Sequence, residues 1–184
     1  MVFVDKTLDQ MLREAGYSKP KELDEFSHEE IKRNKSYILK IEDPSQDVGS
    51  TYTDMCDTLL RWHRIGILAD MQAAMSLSGS IGELAGNAID WGGGLRQINY
   101  YFAPKAAVIE LLQEKEWDYK KILAKVANGL YPSSRKKSEK ILHGGGNGLG
   151  VAGKISKNQI SYQDKGRSTL ILISRKFMEE YERA

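Results

Sequence analysis

His143-Gly144-Gly145-Gly146-Asn147-Gly148-Leu149-Gly150 runs directly into Val151-Ala152-Gly153-Lys154-Ile155. Five of the seven residues from 144 to 150 are glycine. Without a Cβ, their backbone amides can turn outward and approach a ligand closely. A helix starting just after such a loop presents unpaired N–H groups and the positive end of its dipole. Together these make an anion site suited to phosphate. A tight turn needs the same residues, so the loop alone leaves both readings open.

The chain has 184 residues, 41% of them hydrophobic and 28% charged, enough for one ordinary globular core. Its 27 basic and 25 acidic residues nearly cancel, which argues against a protein that coats nucleic acid. Cys56 is the one cysteine, so neither an internal disulfide nor a cysteine zinc cluster is expected, and a reducing, cytoplasmic setting is the default. No apolar run approaches the roughly 18 residues of a membrane span. The opening Met1-Val2-Phe3-Val4-Asp5 is charged too soon for a signal peptide.

Taken in order, residues 1–35 read as a helical extension in two pieces. Thr7 caps a helix from Leu8 to Ala15, Gly16 stops it, and Pro20 starts a second, acidic stretch. Ser36 to Glu42 alternates as a strand and ends at Asp43-Pro44. Helical spacing then covers Val48 to Ile67, with Met55, Leu59 and Trp62 on one stripe. A further helix begins at Asp70 and ends at Gly92-Gly93-Gly94. Leu95 to Phe102 and Ala106 to Leu112 read as neighbouring strands, and Tyr119 to Leu130 as a helix. Residues 131–143 are a polar, basic approach to the glycine loop. Beyond the loop a short helix leads to Gln159-Ile160-Ser161-Tyr162, followed by a turn at Asp164-Lys165-Gly166 and a final strand, Ser168 to Ser174. Residues 177–184 form a helical tail.

Glu83 and Asn87 stand four residues apart in the helix that begins at Asp70, so they share a face about one turn apart. Asp90, three beyond Asn87, falls on the same face. Most surrounding positions are small or apolar. A carboxylate and an amide there are either a hydrogen-bonded structural pair or part of a metal and phosphate site.

Gly82-Glu83-Leu84-Ala85-Gly86-Asn87-Ala88-Ile89-Asp90-Trp91-Gly92 resembles the N-box of the GHKL ATP-binding family, which includes gyrase, histidine kinases and bacterial anti-sigma-factor serine kinases. The anti-sigma type looks closest, with a box that reads roughly Glu-Leu-x-x-Asn-Ala-x-x-His-Gly. Gly146-x-Gly148-x-Gly150 is similar to the family's second glycine box, and Lys165-Gly166-Arg167-Ser168-Thr169 to its final Gly-x-Gly-Thr element. The likeness covers about residues 36–176. It rests on the order and spacing of three motifs, none specific alone.

The resemblance implies ATP as ligand with Mg²⁺. Asn87 would coordinate the cation through its amide oxygen, a hard ligand for a hard ion. Glu83 would act as general base where chemistry occurs. Gly144, Gly145, Gly146, Asn147, Gly148, Leu149 and Gly150 would hold the phosphates, with Asp90 and Thr169 also at the nucleotide. Arg135 and Lys136 would belong to a lid over the triphosphate. The family's Asp-x-Gly-x-Gly box, whose aspartate binds the adenine amino group, has no match in Val108-Ile109-Glu110-Leu111-Leu112-Gln113-Glu114-Lys115-Glu116. Gln113 or Glu114 is left to accept that hydrogen bond. Trp91 replaces the usual histidine.

The expected fold is an α+β two-layer sandwich of the Bergerat type: a mixed, mostly antiparallel sheet with helices on one face. The expected function is a Mg²⁺-dependent ATP-binding regulator, as a serine/threonine kinase acting on a small protein partner. The alternative is a degenerate member that binds a partner protein without catalysis. A homodimer is left open; a membrane is not expected. Two other classes compete. Gly148 to Lys154 meets the P-loop spacing, but Ile155 stands where Ser or Thr should hold Mg²⁺. Glu83 and Asp90, about 10 Å apart by helical rise, could be a glycosidase acid pair, with nothing else to support it.

Overall fold

The computed structural model describes residues 2–18, 21–22, 36–47, 49–51, 53–55, 57–58, 82, 84–90, 92–103, 105–116, 118–120 and 159–174. Its strands are β1 (Val2–Phe3), β2 (Lys21–Glu22), β3 (Tyr37–Glu42), β4 (Leu95–Phe102), β5 (Ala106–Gln113), β6 (Gln159–Gln163) and β7 (Ser168–Ser174). One helix, α1, spans Leu8–Ala15. Residues 49–51, 53–55, 57–58, 82 and 84–90 are also helical.

The sheet order is β1-β6-β7-β5-β4-β3-β2. The five strands from β6 to β3 pair antiparallel throughout. The two-residue strands β1 and β2 add parallel edges, on β6 and β3 respectively. The α+β class and the mostly antiparallel mixed sheet agree with the reading of the sequence. β4 and β7 occupy the expected residues, because each alternates between two buried faces. Lys21–Glu22 is a strand where a helical piece was expected. It pairs with Tyr37 and Ile38, a partner the local sequence does not name.

The expectation of helices on one face is corrected. Side-chain alternation gives the sheet two apolar faces, and each is covered. On one face Ile98, Tyr100, Phe102, Ala107, Ile109, Leu111, Ile160 and Ile171 pack with Met55, Leu84, Ala85 and Ala88 from helical residues. On the other, Val108, Tyr101, Leu170 and Leu172 pack with Met11 and Ala15 of α1. The physical reason is that β5 is buried along almost its whole length, so neither of its faces can be left to water.

α1 forms as its sequence dictates. The Thr7 hydroxyl accepts from the Gln10 amide, and the Gln10 side chain accepts from the Thr7 amide, a reciprocal cap. Gly16, at φ 75°, ends the helix in the left-handed region, with its N–H bonded to the Arg13 carbonyl. The α1 face of the sheet also holds a buried carboxylate. Glu110 accepts from the Asn99 amide (2.8 Å), the Tyr101 hydroxyl (3.0 Å) and the Ser168 hydroxyl (3.2 Å). Three donors from two strands, β4 and β7, supply what water would otherwise give it. Burial, reinforced by the Glu110 charge, pushes the Tyr101 phenol up. Among the described residues, no helix is long and apolar enough to cross a membrane.

Candidate functional site

Residues 84–90 place Leu84, Ala85 and Ala88 in the core, which leaves Asn87 half-buried and Asp90 exposed. Gly92 to Gly94 then reverse the chain. The Gly92 N–H donates to the Asn87 carbonyl (3.2 Å) and the Gly94 N–H to the Ala88 carbonyl (3.2 Å). Gly93 and Gly94, at φ 76° and 126°, adopt backbone that only glycine takes without strain.

This turn is tied to the end of β5. The Lys115 N–H donates to the Gly92 carbonyl (2.7 Å), and the Glu114 N–H to the Gly94 carbonyl (3.0 Å). The Gln113 N–H donates across to the Arg167 carbonyl (2.8 Å), next to the tight turn at Asp164–Gly166 that joins β6 to β7. The Gln113 side chain lies where a Cβ on Gly92 would stand. Its Nε2 donates to the Lys115 carbonyl (2.7 Å). The amide nitrogen is thereby engaged, and Oε1 is the atom left to accept.

Leu84, Asn87, Gln113, Tyr162 and Thr169 enclose a pocket of about 10 Å³, room for about one water molecule. Thr169 and Tyr162 are cross-strand partners on β7 and β6. Both are buried, as is Gln113. Burial pushes the Tyr162 phenol up, so it stays protonated. An amide oxygen, a hydroxyl and a second amide thus meet an aromatic ring at the junction of the 84–90 helix and three strands.

A comparison with models of protein families, with curated proteins and with solved structures finds no match.

Of the residues singled out in the sequence, Asn87, Gln113 and Thr169 come together in this pocket. Asp90 and Glu114 are exposed and do not line it; Glu114 pairs with Arg96 at 3.2 Å. Glu83, Arg135, Lys136 and Gly144, Gly145, Gly146, Asn147, Gly148, Leu149 and Gly150 lie outside the described residues. Leu84 and Tyr162 were not foreseen. Alternation puts Tyr162 on the same face as Ile160, but that this face meets the 84–90 helix follows only from the pairing of β6 with β7. Among the described residues, no group of three or more His, Cys, Asp or Glu could hold a metal ion. Mg²⁺ bound to a nucleotide does not need one, since it takes one or two protein ligands and fills its shell with phosphate oxygens and water.

Proposed function

We propose that this chain is a Mg²⁺-dependent nucleotide-binding regulator of the GHKL type. The observation that supports it best is convergence. Asn87 and Thr169 belong to two separate motifs, Gln113 stands in the stretch where a third motif is missing, and the three line one pocket. Their chemistry fits the roles implied by the resemblance. The Asn87 amide oxygen is a hard donor for Mg²⁺. The Gln113 oxygen can accept from an exocyclic amino group, the part otherwise played by the family's aspartate, and the Thr169 hydroxyl can donate or accept beside it. When bound, Mg²⁺ would neutralise phosphate charge. The chain's own residues would orient the base and exclude water from its edge. Glu83, one turn before Asn87 in sequence, is the proposed general base. Kinase transfer to a protein partner and partner binding without turnover both remain readings of the same site.

Calorimetric titration with ATP, ADP and GTP, with and without Mg²⁺, tests the proposal. Asn87→Ala should abolish Mg²⁺-dependent binding and leave the unfolding transition in place. Undiminished binding in that variant would remove Asn87 from the site.

A further inference from the structure

A second, larger cleft shares no described lining residue with that pocket. Its volume is about 430 Å³, within the range of small-molecule sites, and Glu116, Asp118, Tyr119, Lys120 and Lys165 line it. The wall carrying Glu116 to Lys120 is held in place. The Lys115 and Glu114 amides just before it are bonded to the Gly92 and Gly94 carbonyls. Tyr119 packs against the core, and its ring stacks on Tyr162 with centroids 5.1 Å apart. Half-buried, Tyr119 is the aromatic residue among those lining the cleft.

We propose that this cleft binds a small aromatic anion, with Tyr119 against its ring and the ammonium groups of Lys120 and Lys165 at its charge. The site is independent of the nucleotide reading above. The charges already matched decide the sign of the ligand. Glu116 holds two cations, Lys165 at 3.5 Å and Arg167 at 3.1 Å, and Asp118 has a partner as well. Lys120 has no ion pair among the described residues. A cationic ligand would find both carboxylates engaged, whereas an anion finds an ammonium that nothing matches. The backbone at Lys165 is a second, separate observation. Asp164 and Lys165 both take left-handed backbone, at φ 47° and 52°. Aspartate tolerates that region, but a lysine there is strained, and an exposed pair such as that with Glu116 returns little against the strain. Glycine would meet the turn's geometry without it. What a lysine adds at this position is an ammonium on the cleft. Strained residues that persist at a cleft are a mark of ligand sites.

Calorimetric titration of the full chain with phenyl phosphate, benzoate and benzylamine tests the site. The first two keep a ring and differ in their anionic head group; benzylamine keeps the ring and reverses the charge. Phenyl phosphate or benzoate should bind, the tighter of the two naming the head group, and benzylamine should not. Lys120→Ala should weaken the anion about threefold to tenfold, as loss of one exposed charge contact does. Tyr119→Leu, which keeps an apolar side chain against the core, should weaken it by a similar factor through loss of the ring. Lys165→Gly should weaken it too while leaving the unfolding temperature no lower, because glycine takes the left-handed backbone without strain. Both lysines are exposed, so their variants test the site even if Tyr119→Leu unfolds. Failure of both anions to bind at millimolar concentration would overturn the site. So would benzylamine binding as tightly as the anions, or an affinity unchanged in both lysine variants.

Discussion

A Cβ on Gly92 would stand 2.5 Å from the Ala88 carbonyl oxygen and 2.6 Å from the Gln113 Cδ. The first neighbour is backbone and cannot step aside; the second is the side chain that closes the candidate pocket. Gly92→Ala should therefore destabilise the fold by about 1–3 kcal/mol, the usual range for overpacking. Urea denaturation measures this, and wild-type stability would show that the turn relaxes freely. At this scale the sequence was partly legible. Asn87 and Thr169 were reachable because motif spacing names positions without needing the fold, and Gln113 was one of two residues left where a motif is missing. Tyr162 and Glu110 were not. Tyr162 matters because of the strand beside it, and Glu110 in a run of apolar residues is tolerable only because Asn99, Tyr101 and Ser168 arrive from other strands.

Elements whose causes are local could be read directly. The Thr7 cap, the Gly16 stop, the alternation of β3 and β4 and the apolar runs of β5 and β7 all lie within the segments they define. β1 and β2 could not, since two residues carry no period and their partners are Gln159–Ile160 and Tyr37–Ile38. α1 also carries a pH-sensitive contact. Glu14 lies near its C-terminus, where a negative charge is disfavoured by the helix dipole. The Lys6 ammonium offsets this by bonding the carboxylate, and with help from the Gln159 amide it holds Glu14 below its ordinary value. A carboxyl lowered in the folded state contributes stability above its unfolded pKa, and that contribution is lost as pH falls through the folded pKa. Wild type should exceed Glu14→Gln in stability at about pH 6 and lose the advantage below about pH 4. The effect should be small, because Glu14 is exposed to water and Lys6 only half-buried. Equal stability of the two proteins at every pH would show that the contact contributes nothing.

At the scale of the molecule, the departure from a one-faced sheet decides how the N-terminal segment is read. Its sequence shows an apolar stripe, Leu8, Met11 and Leu12, but a stripe does not name the surface it meets. In the fold, Met11 and Ala15 are fully buried against the sheet face opposite the candidate pocket, and Val4, Leu8 and Leu12 pack around them. β1 is hydrogen-bonded to β6, and the Val4 amide continues that pairing onto the Ile160 carbonyl (2.9 Å). β6 is also the strand that carries Tyr162. The segment and the site are thus joined through one sheet with two covered faces, which argues for a single cooperative unit. Met11→Ala should then lower global stability by about 2–5 kcal/mol, the range for emptying a buried methionine site. The loss should show as one unfolding transition shared by far-UV signal and tyrosine fluorescence, since the disturbance reaches strands bearing Tyr101 and Tyr162. Two separate transitions, with the tyrosine signal unmoved, would mean instead that α1 rides on an independently stable sheet and that the second face needs no cover.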